Sequence, residues 1–232
     1  MSFLGEGLAE AARLLWAGDA RTYHAVLVSL LCTTTAVGLA ALLAVPYGAW
    51  LGLYRSTPFC RLQVFSLRVA MSVPTVVLGL LVFAFLSRRG LLGGLDLLYT
   101  RTAIIVGEFL LAFPLLGSLV YGAMARLEPR VVETALTLGA RRGQALMKVL
   151  GEVRPALVAA MLAAFGRCVT ELGIAITVGG NLPLHTRTLA STAQLELSRG
   201  RFAAALAPGV LLLVLAAGAT MLASWPERSE RP

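Results

Sequence analysis

Histidine, cysteine and charge are all scarce in this chain, and each scarcity removes a class of function. His24 and His185 are the only histidines in 232 residues, which leaves no material for a histidine-rich metal or acid–base centre. Cys32, Cys60 and Cys168 share no close spacing, and two of them lie in apolar runs, so neither a disulfide framework nor a zinc site is expected. No GxxxxGK[ST] sequence occurs, so the chain has no P-loop with which to hydrolyse a nucleotide itself. Charged residues make up 14% of the chain, against about a quarter in soluble domains. The net charge of +8 is scattered between apolar runs and does not build a basic face, which argues against nucleic acid as a partner. Glu6, Glu10 and Asp19 stand where a secretory signal would be positive, so no cleavable signal is expected.

What is present is apolar: 58% of residues, with a mean hydropathy of +0.81. Charge is missing altogether from residues 22–54, 69–87 and 202–226. Each run can cross a hydrocarbon core of about 30 Å as a helix, which takes about 20 residues. Five spans are predicted, at 24–52, 66–87, 102–124, 155–178 and 203–225, giving an all-α, multi-pass membrane bundle in one domain over residues 1–232. Residues 1–21 place Leu4, Leu8, Ala11, Ala12 and Leu15 at helical spacing between charges, as in a helix lying on the membrane surface, with lipid as its partner. Every span carries a proline: Pro46, Pro74, Pro114, Pro155 or Pro208. Bent or broken helices survive at membrane depth where protein or a watery cavity surrounds them, so the prolines favour a transport bundle over a simple anchor. Placing 53–65, 125–154 and the C-terminus inside puts eleven Lys/Arg there, counting Arg68, against eight outside, an orientation of the expected sign.

Residues 125–154 form the most informative polar stretch. Glu128-Pro129 precedes an apolar strip of Val131, Val132, Ala135 and Leu138 at helical spacing, and Gly139 then ends or bends it, with Arg141 and Arg142 beyond. Such a helix either docks in a groove of another protein or lies on the membrane. Glu133, Thr134 and Ala135, followed by Gly139 and by Val153-Arg154-Pro155, resemble the EAA loop of permease subunits in ATP-binding-cassette importers. LAVPYGAW at 43–50 resembles the end of the first core span of such permeases, and residues 71–116 and 164–206 are similar to those for tungstate. The resemblance is carried most specifically by Gly179-Gly180-Asn181 and the Thr-Arg-x-Leu that follows.

That resemblance implies a type I importer fold in a cell membrane and a set of partners. A second copy would complete the pathway, a separate ATPase subunit would use ATP and Mg, and an extracytoplasmic binding protein would deliver the anion. This chain would then bind no cofactor and catalyse no reaction. Residues 125–154 become the cytoplasmic coupling loop, with Glu133, Thr134, Ala135, Leu138, Gly139, Ala140 and Arg141 as ATPase-coupling residues. Tungstate is the implied substrate, with molybdate or sulfate as alternatives. An ATP-independent anion carrier is a further alternative, but it calls for an internal repeat and ion-relaying carboxylates. No repeat is present, and only Glu108 and Glu171 qualify as carboxylates.

Charges inside the spans need a reason, because an unpaired one costs at least about 2.5–3.5 kcal/mol on insertion scales. Arg167 and Glu171 share a helix face at i, i+4 and either lock the bundle as an ion pair or shape an anion's path. Simple pairing predicts that Arg167→Ala is worse than the double change with Glu171→Ala. Glu108 is expected to reach the outer interface. Gly179, Gly180 and Asn181 either turn the chain or present backbone N–H groups to an anion. Thr33 and Thr75 offer hydroxyls to an oxyanion or bond helix to helix.

Overall fold

A computed structural model describes residues 3–16, 20–127, 137, 139 and 141–229. Among the described residues the chain is helical, with no strand. The first helix, α1 (Phe3–Trp16), precedes α2 (Ala20–Leu53), a single helix of 34 residues. At 1.5 Å per residue α2 is about 50 Å long, well over the hydrocarbon thickness. Its two faces invert the pattern of a soluble helix. Ala25, Ser29, Cys32, Ala36, Ala40, Ala44 and Gly48 point inward, whereas Leu27, Leu31, Leu39, Leu42 and Leu43 point out. Small residues inside let backbones approach, and large apolar ones outside face the solvent they match, which is lipid.

The main partner of α2 is α5 (Arg101–Arg126), which is also continuous and carries Pro114 within it. Ile104, Glu108, Ala112, Leu116, Val120 and Met124 of α5 lie on its buried face. Glycine sets the distance between the two helices. A methyl at Gly48 would lie 2.7 Å from the Gly117 carbonyl oxygen, and one at Gly52 would lie 2.3 Å from Met124 Cβ.

Two spans are broken. The predicted span 66–87 is divided between α3 (Pro58–Met71) and α4 (Thr75–Leu86), bent by 98°. Pro74 explains the break, since the residue before a proline is pushed out of the α region. The segment 53–65, read from sequence as a loop, contains the start of α3: Thr57 Oγ1 accepts from Cys60 N, and Pro58 follows in the first turn. The predicted span 155–178 is likewise α7 (Arg154–Val169) followed by the short α8 (Gly173–Gly179), bent by 59°. Counting each bent pair as one crossing, the helices long and apolar enough to cross a membrane make up to five spans, with α2, α5 and residues Phe202–Ala223 as the three continuous ones.

The remaining elements are a 3-10 turn at Gly93–Leu95, α6 (Arg142–Glu152), α9 (Leu189–Ser198) and α10 (Phe202–Ser229). The buried Val149 of α6 packs with Val153 against Ala49, Val120 and Met124, tying α6 to the ends of α2 and α5. Helix α1 lies against α10, where a methyl at Gly7 would overlap Leu206 Cδ1.

Candidate functional site

The two breaks meet. Helix α4 begins at Thr75, directly after the first break, and α8 begins at Gly173, directly after the second. They cross through glycine: a methyl at Gly173 would lie 3.1 Å from Val76 Cγ2, and one at Gly79 would lie 3.2 Å from Thr177 Cβ. Thr75 therefore sits at the crossing, one residue before the contact with Gly173, while Thr177 Oγ1 turns back to donate to Gly173 O at 2.6 Å.

Glu171 occupies the second break. One oxygen, Oε1, accepts from the backbone N–H of Gly173 at 2.9 Å and of Ile174 at 3.3 Å. The other, Oε2, meets Arg167 Nη1 at 2.9 Å. The Glu171 side chain is 3% exposed and that of Arg167 is 45% exposed. The carboxylate thus joins α7 to α8: it takes up two amides that a new helix leaves unsatisfied, and a cation one turn back balances its charge. Thr170 Oγ1 supports the end of α7 by donating to Gly166 O and Arg167 O at 3.2 and 3.1 Å.

Glu108 corrects the expectation of an interfacial carboxylate. It is 3% exposed, inside the bundle, because it lies on the α5 face that packs inward. Across the α2–α5 contact the Glu108 carboxylate faces the buried Thr33 hydroxyl of α2. Cys168 Sγ lies 3.8 Å from the Glu108 carbonyl oxygen, which places the Arg167–Glu171 turn beside this part of α5. The described bundle therefore brings Thr33, Glu108, Arg167 and Glu171 into one polar layer, with Thr75 at the adjoining crossing.

Gly179, Gly180 and Asn181 lie at the far end of α8. Gly179 packs on Ile104, where a methyl would be 2.8 Å from Cδ1, and its carbonyl accepts from Thr186 Oγ1 at 2.5 Å. Gly180, at φ +67°, ends α8 and donates its N–H to Ile176 O; a methyl there would meet Tyr99 Cδ1 at 2.6 Å. Asn181 is held by Arg187, whose Nε donates to Asn181 Oδ1 at 3.0 Å and whose Nη2 donates to Asn181 O at 3.2 Å. Sequence reading missed Arg187 as the clamp of this turn. The Asn-to-Arg spacing of six residues carries no helical signal, because it closes a loop.

Of the residues expected from the sequence to couple to an ATPase, Glu133, Thr134, Ala135, Leu138 and Ala140 lie outside the described residues. Gly139 is exposed at φ +86°, a left-handed conformation that glycine adopts without strain. Arg141 precedes α6 and donates its backbone N–H to Gln144 Oε1 at 2.8 Å. Among the described residues no group of three or more His, Cys, Asp or Glu is arranged to hold a metal ion.

A bundle of continuous and broken apolar helices, with a buried carboxylate at the second break, has the build of a membrane transport component. Residues 44–231 match the family model described as binding-protein-dependent transport system inner membrane component, and the chain belongs to that family. It is 34% identical over 217 residues to the tungstate uptake system permease protein TupB of Peptoclostridium acidaminophilum, covering 93% of this chain and 94% of that one. It is 31% identical to TupB of Campylobacter jejuni, covering 93% and 90%. The molybdenum transport system permease protein ModB of Escherichia coli is 28% identical, covering 73% and 77%. A chain of the MetNI methionine ABC transporter, solved in inward-facing conformations, superposes with a TM-score of 0.69 at 18% identity, covering 95% of this chain and 99% of that one. This likeness extends the fold to nearly every residue of both chains.

Proposed function

We propose that this chain is the permease subunit of an ATP-driven tungstate importer. The observation that carries the reading is the 34% identity to a tungstate uptake permease over nearly the whole of both chains. Two copies form one pathway, two ATPase subunits lie beneath them, and a binding protein delivers the anion to the opposite face. That face carries the starts of α2 and α5 and the 180–188 loop, in agreement with the bias of basic residues. The segment around residues 133–141 docks on the ATPase. ATP binding draws the two docked segments together and tips the bundle from inward-open to outward-open, and hydrolysis resets it. Nucleotide and anion then bias the same two-state assembly, and each changes the other's affinity. The chain makes and breaks no bonds; ATP and Mg belong to the ATPase.

The broken helices suit this task. Packed glycines at the α4–α8 crossing and the Glu171 joint let short half-helices turn within the membrane while their backbone groups stay satisfied. The test is uptake by proteoliposomes holding the permease, its ATPase and its binding protein. ATP-dependent accumulation of tungstate, weakly competed by molybdate or sulfate, is expected. Equal uptake of all three, or flux that persists without ATP, refutes the reading.

A further inference from the structure

Arginines converge on one end of the bundle. Arg21 and His24 at the start of α2, Pro183, Leu184 and Arg187 in the loop after α8, and Arg199 after α9 line a cavity of about 270 Å³. That is just below the range of about 300–1,000 Å³ typical of pockets for drug-sized ligands, so it suits a small ion with some of its water. The Arg187 guanidinium is held in place by Asn181 through Nε and Nη2, leaving Nη1 without an acceptor among the described residues. Asn181 and Leu184 adopt left-handed backbone conformations, at φ 51° and 56°, that fold this loop over the cavity.

The local charge is positive. Glu196 is shared between Arg199 at 3.1 Å and Arg201 at 3.3 Å, so one carboxylate serves two cations. Behind His24, Arg101 Nη2 lies 3.4 Å from His24 Nε2, and Arg101 Nε donates to His185 O at 2.8 Å. Burial lowers the Arg187 pKa from its ordinary value; the nearby Arg199 and Arg21 push the same way, and Glu196 opposes them. Like charges held this close repel one another, and an anion between them replaces that repulsion with charge-assisted hydrogen bonds.

We propose that Arg21, His24, Arg187 and Arg199 form an entry site for a small tetrahedral dianion on the bundle's outer face. The proposal rests on the orientation and substrate class given above. An anion released on that face would be held here before it reaches the polar layer of Arg167 and Glu171. Such a site needs only modest affinity, because tight binding would hinder onward passage.

The experiment measures tungstate retained by the purified permease–ATPase complex in nanodiscs, without binding protein, after equilibrium dialysis at low salt. Arg21→Gln and Arg199→Gln are compared with Arg88→Gln, an exposed arginine that pairs with Asp96 in another loop. The expected result is saturable retention that weakens about tenfold in each pocket variant, as loss of a charged hydrogen bond implies, and stays unchanged in the control. Arg21 is exposed at a helix start, so its replacement leaves folding intact even if the Arg199 variant assembles poorly. No retention by the native complex, or equal retention by all three variants, overturns the entry site. So does a parallel pull-down with added binding protein in which the pocket variants lose capture of that protein while tungstate retention stays intact, which would assign the pocket to an acidic side chain of that partner. Wild-type uptake in proteoliposomes separates the two readings: uptake without retention refutes only the pocket, and absent uptake refutes the proposed function.

Discussion

Glu171→Ala removes the joint between α7 and α8, and the structure sets how much that costs relative to removing Arg167. The lost carboxylate accepts one short amide bond at 2.9 Å and one longer bond at 3.3 Å. Hydrogen bonds to a charged group contribute about 1.5–3 kcal/mol each, so with one of them long the loss is about 3–4 kcal/mol. Removing Arg167 instead takes away only the counter-ion, the half-exposed member of the pair, and leaves both amide bonds in place. Arg167→Ala is therefore expected to cost less than Glu171→Ala, since Glu171 keeps both amides. The double variant should be about as unstable as Glu171→Ala alone. Glu171→Gln, which retains a carbonyl oxygen for the amides, should fall between the two single alanine variants. Equilibrium unfolding in mixed micelles, with increasing denaturing detergent, reads all four. Arg167→Ala as costly as Glu171→Ala, or a double variant more stable than Arg167→Ala, would refute the assignment of Glu171 as a backbone joint. Pairing considered alone predicts equal single variants and a double variant more stable than Arg167→Ala, because it treats the two charges as equivalent.

Gly48→Val forces a side chain to within 2.7 Å of the Gly117 carbonyl, and overpacking of this kind costs about 1–3 kcal/mol; reduced membrane-inserted yield and a lower detergent midpoint are expected, while Gly122→Val, at a position open to space, leaves both unchanged. Gly139→Asp places an L-residue at φ +86° in open space, so the bundle should unfold normally while ATPase retention and ATP-driven uptake fall at least about tenfold; full uptake would count against docking at this segment. For topology, Leu91→Cys is preferable to a cysteine at position 90, where a side chain would strike the Ala84 carbonyl oxygen at 2.1 Å. An impermeant thiol reagent should reach position 91 from outside and a cysteine at Arg141 only from inside, and the three native cysteines, all buried, should add little background.

The long apolar runs made the membrane bundle legible without any structure, and Pro74 and Pro155 marked real boundaries. The break at 170–172 was not legible, because no proline precedes it. It depends on Glu171 finding both Arg167 and the next helix's amides, a satisfaction that only the folded chain shows. Glu108 was misplaced for a related reason. Its distance from the end of the apolar run suggested the interface, but its i, i+4 register with Ile104, Ala112 and Leu116 is what turns it inward. The start of α3 was overlooked although Thr57-Pro58 is a local helix-start signal, because hydropathy alone placed 53–65 among the loops. The basic cavity was beyond sequence reading: Arg21, Arg187 and Arg199 are far apart in the chain, and each resembles an ordinary loop cation.

Glycine contacts between α2 and α5 also restrict how the molecule can deform. With Gly48 seated on the Gly117 carbonyl and Gly52 on Met124, an axial slide would drive Val120 or Met124 side chains into a backbone that has no room for them. The two helices must travel together as a rigid spar, and any rocking of the subunit must bend at the two interrupted crossings and nowhere along that spar.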